Sequence, residues 1–280
     1  MIKAYQKGED LVKDIESFTA FKGFKVWWLG QSGFLIKYQG ECLLFDPYLS
    51  DSLTLKYTKT EKPHNRMSEL VIEPSFLDMI NVVTSSHNHT DHLDKETLNA
   101  IFKVSPRAKF VIPKANMDFV IDRLKCDINF PIGLADGESL NFGKFKIIGM
   151  PAAHNELTLN KKGEHLFMSY MVQFGEYTVY HSGDTLWYHD LAERLSKFKI
   201  DIAFLPINGN KLERKVAGNL SAEEAAKLGK EVGVKCVIPH HYHMFEFNTE
   251  NPENFVAFCQ KYDTAYKVLE HGESYFYSIV

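Results

Sequence analysis

Residues 25–29, 33–37 and 42–45 are short runs of β-branched and aromatic side chains separated by Gly30-Gln31-Ser32 and Gln39-Gly40. Turn formers between apolar runs of this length predict a strand meander, which stops at Asp46-Pro47. From 49 to 67 the chain turns polar, loses periodicity and carries Lys56, Lys59, Lys62 and Arg66. A patternless stretch of that length is either a cover over a pocket or a solvated connection. After an apolar segment at 80–83, strand and helix alternate. A helix is predicted over 94–102, a strand over 109–112 and a helix over 116–124, with Val120, Ile121 and Leu124 on one face.

A second meander follows: 139–150, broken at Gly143, and 167–180, turning at Gly175-Glu176. The pattern then predicts a helix over 186–198, a strand over 200–207, a helix over 221–231, a strand over 234–239, a helix over 251–262 and closing strands within 265–278. Ser221 and Glu224 have the spacing of a capping box. Both halves run from a strand meander into strand-helix alternation. This predicts an α/β fold with a two-layered sheet core and helices outside, organised as one domain over 1–280.

Composition narrows the class. Hydrophobic residues are 45% and charged residues 24% of 280, ordinary for a globular protein without long disordered segments. The net charge of -4, from 32 basic and 36 acidic side chains, argues against a broad nucleic-acid surface, which needs a surplus of Lys and Arg. Residues 1–14 are charged throughout with no apolar core of a signal segment, and no apolar run is long enough to span a bilayer, so a cytoplasmic location is expected. Cys42, Cys126, Cys236 and Cys259 lie far apart with no C-x-x-C pair, which predicts reduced, mostly buried thiols and no thiolate zinc site.

The chemistry concentrates in Ser86-His87-Asn88-His89-Thr90-Asp91-His92, with three imidazoles and a carboxylate directly after an apolar strand. Neutral imidazole and carboxylate are the ligands of zinc and similar divalent ions, and this spacing can divide its members between two ions. The alternative is a His-rich surface loop. Three further polar residues follow strands: His154, Asp184 and His241. Singly, each is as readily a turn former; if the strand ends share one edge, all seven converge.

In this order of residues the chain resembles the metallo-β-lactamase fold superfamily, whose ligands run H-x-H-x-D-H, His, Asp, His. Within it the chain is most similar to the L-ascorbate-6-phosphate lactonase type. The similarity lies in Trp28-Leu29-Gly30-Gln31-Ser32-Gly33 with Asp46-Pro47, in Tyr180-His181-Ser182-Gly183-Asp184-Thr185 and in Val237-Ile238-Pro239-His240-His241, and it runs over about 25–258. Residues 87–94 are also similar to the phospholipase D acting on N-acyl phosphatidylethanolamines. The resemblance implies a four-layer αβ/βα sandwich and two divalent metal ions, Zn2+ or Mn2+. His87, His89 and His154 would hold one ion, Asp91, His92 and His241 the other, and Asp184 would bridge them. It further implies a hydrolase whose nucleophile is a bridging hydroxide and whose substrate is a lactone or related ester of a small, phosphorylated metabolite. The alternative is a metal-dependent phosphodiesterase acting on nucleotides or phospholipid headgroups.

Several supporting roles follow from these assignments. Asp91 is either the proton acceptor from the attacking water or a ligand only, and Asp184 shares in the chemistry. The register of Pro239-His240-His241-Tyr242 makes His241 the ligand, leaving His240 and Tyr242 to line the pocket; the swapped assignment, with His240 as ligand, stays open. His181 is expected to support the loop that aims Asp184, Asp46 to fix the neighbouring loop by accepting backbone hydrogen bonds, and His165, His189 and His271 to lie at the surface, while His243 either supports the pocket or is an exposed bystander. Asn208 and Asn219 either present amides to substrate or simply form turns. Arg66 and the loop lysines either meet a phosphate or are solvated. A tRNA-processing nuclease shares the ligand order, but no RNA-gripping arm or basic surplus is visible. Seven ligands exceed the four of a closed structural zinc site, which favours catalysis over a purely structural role.

Overall fold

Side chains alternate faces along a strand, so a strand that is apolar at every position needs cover on both sides. The strand β1 (Phe24–Gly30) meets that demand: Val26 and Trp28 enter one hydrophobic core, Trp27 and Leu29 another. The same division holds along β2 (Gly33–Tyr38) and β3 (Glu41–Phe45), with Phe34, Ile36, Leu43 and Phe45 on one side and Leu35, Cys42 and Leu44 on the other.

In this computed structural model, which describes residues 1–211 and 218–279, these strands belong to the first of two sheets. It is completed by β4 (Val82–Thr84), β5 (Lys109–Pro113), β6 (Pro131–Leu134) and β13 (Ser274–Tyr277), in the order β13-β1-β2-β3-β4-β5-β6. The second sheet contains β7 (Ser139–Phe142), β8 (Phe145–Pro151), β9 (Met168–Phe174), β10 (Tyr177–His181), β11 (Ile202–Pro206) and β12 (Cys236–His240), in the order β12-β11-β10-β9-β8-β7. Each sheet begins antiparallel and becomes parallel: β3, β4, β5 and β6 in the first, β10, β11 and β12 in the second. The core between the sheets joins Val26, Trp28, Phe34 and Phe45 to Ile147, Tyr170, Val172 and Phe204.

Helices close both outer faces. Against the first sheet lie α1 (Glu9–Ser17), α3 (Lys95–Val104) and α4 (Met117–Leu124), through Leu11, Ile15, Leu98, Ile101, Val120 and Leu124. Against the second lie α5 (Leu191–Ser196), α6 (Ala222–Val232) and α7 (Pro252–Tyr262). The result is the four-layer αβ/βα sandwich. The capping box at Ser221 and Glu224 forms with both of its hydrogen bonds.

Differences from the sequence pattern have local causes. The expected helix over 186–198 is confined to α5, because the preceding segment is bound elsewhere: the Leu186 amide donates to the Ala153 carbonyl at 2.8 Å and the Tyr188 hydroxyl to that of Pro151 at 3.0 Å. The patternless stretch 49–67 contains a short helix, α2 (Ser52–Tyr57). Both α1 and β6 lay outside the expected elements, and the strands expected within 265–278 reduce to β13 and an isolated bridge at Tyr266. Cys42, Cys236 and Cys259 are buried, which pushes each thiol up to about 12, and Cys126 is half-buried. Among the described residues no helix is long and apolar enough to cross a membrane.

Candidate metal centre

The strands β4, β8, β10 and β12 all deliver chain to one edge of the sandwich, and the loops beyond them carry the seven residues. Donor atoms of His87, His89, His154 and Asp184 lie within 4.8 Å of one another, as do those of Asp91, His92 and His241. Asp184 touches both groups: Oδ1 is 2.7 Å from His241 Nε2 and 3.2 Å from His92 Nε2, and Oδ2 is 3.6 Å from His154 Nε2. Asp184 reaches this place through Gly183, whose φ of 55° is a left-handed conformation. A Cβ there would stand 2.6 Å from the Ser86 Cβ, so both the turn and the close approach require glycine. His181 braces the same turn. Its Nε2 lies 2.8 Å from the Ser32 carbonyl oxygen, and its Nδ1 accepts from the Gly183 amide at 3.2 Å.

Hydrogen bonds from behind settle which ring nitrogen faces the centre. His154 Nδ1 meets the Gly218 carbonyl at 2.9 Å and His92 Nδ1 meets Asp46 Oδ2 at 2.7 Å, so in both rings Nε2 is turned inward. Asp46 is fully buried, and it also accepts from the Ser86 amide at 3.0 Å and from the Ser86 hydroxyl. Groups that orient a ligand in this way typically matter 10–100-fold in ion affinity, so Asp46→Asn should weaken ion binding by about that factor. Competition of the purified variant against a chelator measures it, and unchanged affinity would remove Asp46 from the site.

The protonation states differ between the two groups. Burial, and then the neighbouring imidazoles, hold His87 well below the ordinary histidine range; burial and His154 push His89 down to about 4. His154 is lowered by burial as well. These rings are therefore neutral, as ligands must be. His92 goes the other way: burial disfavours its charge, but Asp184, Asp91 and Asp46 outweigh this and raise it well above the usual value. Burial alone would raise Asp184 and Asp91, yet the adjacent His241 and His92 bring both below the ordinary carboxylate range.

The site fits a divalent cation. His87 Nε2 is buried with no hydrogen-bond partner, and the Nε2 atoms of His92 and His241 face each other at 3.3 Å beside Asp184 Oδ1. Buried nitrogen and carboxylate lone pairs left facing one point are what such an ion satisfies.

A cavity of about 570 Å³ opens onto the centre, with His89, Asp91, His154, Asp184 and His241 at its floor. Leu53, Lys56, Tyr57, Lys62 and His64 form a wall, so the 49–67 stretch is a cover. It is anchored where Tyr48, Leu53, Met244 and Phe245 pack into a small core of their own and where the Ser52 hydroxyl donates to Asp94 at 2.9 Å. Asn88 and Thr90 of the histidine loop also line it, as do Asn248, Phe119 and Arg123, the last three not visible as site residues in sequence. Arg123 also donates to the Asn88 and Leu93 carbonyls at 2.7 and 3.1 Å, bracketing the histidine loop.

Four residues expected to meet substrate lie elsewhere. His240 is fully buried between the hydroxyls of Ser32 and Ser182, at 3.3 and 3.5 Å. Tyr242 stacks on Trp28 at 4.3 Å and gives its hydroxyl hydrogen to the Leu269 carbonyl. Asn219 donates to Asn208 at 3.0 Å and Asn208 to Asn248 at 2.9 Å, so these amides brace the cavity wall instead of forming it. Arg66 is spent on Asp51 at 2.7 Å and on the Ser50 carbonyl, away from the cavity. His271, expected at the surface, is buried against Trp28 at 4.3 Å; His165 and His243 are half-buried, and His189 is exposed.

The sequence profile of the beta-lactamase superfamily domain matches residues 25–241. A UPF0173 metal-dependent hydrolase of Hyperthermus butylicus is 26% identical over 254 residues, 89% of this chain and 98% of that protein. An Escherichia coli protein described as a probable L-ascorbate-6-phosphate lactonase is 22% identical over 275 residues, 88% of this chain and 77% of its own length. The structure of Igni18, a metallo hydrolase from Ignicoccus hospitalis, superposes with a TM-score of 0.67 at 20% identity, covering 92% of this chain and 99% of that one, a likeness of fold. With the profile spanning most of the chain, the protein belongs to the β-lactamase superfamily and is a metal-dependent hydrolase of the metallo-β-lactamase fold.

Proposed function

We propose that the protein is a two-ion hydrolase that opens a lactone or related ester of a small anionic, phosphorylated metabolite. The observation that carries it is Asp184, whose two carboxylate oxygens address both histidine groups. In this reading His87, His89 and His154 hold one ion, Asp91, His92 and His241 the other, and Asp184 spans them. Zn2+ and Mn2+ both suit such nitrogen and oxygen donors. Bound divalent ions acidify water and polarise the group under attack. The chain's own part is to hold that geometry, to place the ionised Asp91 at the cavity floor as proton acceptor, and to admit the substrate beneath the 49–67 cover.

The size and charge of the cavity support the substrate class. About 570 Å³ suits a small molecule. Its lining bears Lys56, Lys62 and Arg123 against Asp91 and Asp184, so ions at the floor make the interior positive and favour an anion. The relative described above as a probable L-ascorbate-6-phosphate lactonase fits the same chemistry. The test is to assay metal-loaded protein against a panel of phosphorylated and plain lactones and a panel of phosphodiesters. Preferential turnover of phosphorylated lactones is expected. Turnover confined to phosphodiesters would overturn the lactonase reading in favour of phosphodiester hydrolysis, and activity on neither, with stability tracking metal content, would favour a structural role for the ions.

A further inference from the structure

Gln31 belongs to the Gly30-Gln31-Ser32-Gly33 corner between β1 and β2, and nothing above gives it a function. Its backbone is left-handed, with φ 49°, and its side chain is almost wholly buried. The corner is braced across both sheets. The Gln31 carbonyl accepts from Trp28 Nε1 at 3.1 Å and from the His241 amide at 3.3 Å, and Trp28 is itself clamped between Tyr242 and His271 at 4.3 Å on each face. From this support the amide points into the group of Asp91, His92 and His241. Its Nε2 is 2.8 Å from Asp91 Oδ2 and 3.1 Å from His241 Nδ1, while Oε1 is buried with no partner.

Resting on the two-ion reading, we infer that Gln31 is the positioning residue of one ion only, the one held by Asp91, His92 and His241. The amide donates to Asp91 and lies against the Nδ1 edge of His241, so a single side chain constrains two of the three candidate ligands at once. The other group takes its orientation from different residues: His154 from Gly218, and His87 from the Ser86 hydroxyl at 3.0 Å.

The test is metal uptake. Gln31→Asn keeps a residue that tolerates the left-handed conformation but withdraws the amide by one methylene, and Gln31→Met keeps the length without hydrogen bonds. Parent and variants, stripped of metal, are titrated with Co2+, following equivalents bound and visible absorption, with melting temperatures of the stripped proteins as the check on folding. The parent is expected to bind two equivalents. Both variants should keep the first at parental affinity and bind the second about 10–100-fold more weakly. Second-equivalent affinity equal to the parent's in either folded variant overturns the inference, as does equal weakening of both equivalents. A parent that saturates at one equivalent defeats the two-ion reading itself and this inference with it.

Discussion

Asp184→Ala is expected to lower kcat/KM by about 10³-fold or more, the scale on which one preorganised charge acts at a reaction centre, and to reduce the ions bound per chain. The side chain is 4% exposed, and although burial opposes its charge, His241 and His92 keep it ionised at neutral pH. Removing it leaves their Nε2 atoms, 3.3 Å apart, with Asp91 at 3.6 and 4.0 Å as the remaining carboxylate, so a cation brought there loses one of the two charges that balance it. Asp184 lies in a loop past β10 and contributes nothing to either sheet's ladder, so far-ultraviolet circular dichroism should be unchanged. Steady-state kinetics together with elemental analysis check the result. Near-parental turnover by the purified variant would rule out the two-ion mechanism.

Removing the ions should have an effect as large. Dialysis against a chelator is expected to abolish hydrolysis and lower the melting temperature by about 5–10 °C, with recovery on adding Zn2+ or Mn2+. An ion present at 100 times its dissociation constant stabilises by about 2.7 kcal/mol. Each kcal/mol moves the melting point of a chain of this size by about 2–4 °C. The loss should also depend on pH in a defined order. An ion binds only the neutral ring, and His92 keeps its proton to higher pH than an ordinary histidine, so uptake by the Asp91, His92 and His241 group releases a proton and weakens as pH falls. His87, His89 and His154 are already neutral, with His89 pushed down to about 4. Between roughly pH 8 and pH 5 the first equivalent lost should therefore be the one at His92. Simultaneous loss of both equivalents across that range would refute this ordering.

The seven candidate ligands were legible because each stands just beyond a strand that announces itself by local pattern. Strands in a shared sheet edge bring their following loops together whatever the intervening loops do. His181 and Asp46 were legible on the same ground, as neighbours of those loops. The residues misassigned were of another kind. His240 and His241 are adjacent, but the strand pleat sends one into the core between Ser32 and Ser182, and the left-handed turn at His241, φ 62°, sends the other to the centre. The Asn208 and Asn219 amides looked like substrate contacts or turns. They stand behind the cavity wall, because Asn248 arrives from 40 residues away and takes the place at the cavity.

The sequence by itself determined the two-sheet α/β architecture, which rests on periodicity, and it pointed to the candidate ligands by their place after strands and by the family resemblance they carry. Only the tertiary structure decided which side chains stand behind the ligands and which wall the cavity. Gln31 meets Asp91 across 60 residues and His241 across 210, and the 49–67 cover is held by Met244 and Phe245. No local pattern records such partners, because they are selected by the packing of one sheet on the other and not by the propensities of the segments that carry them.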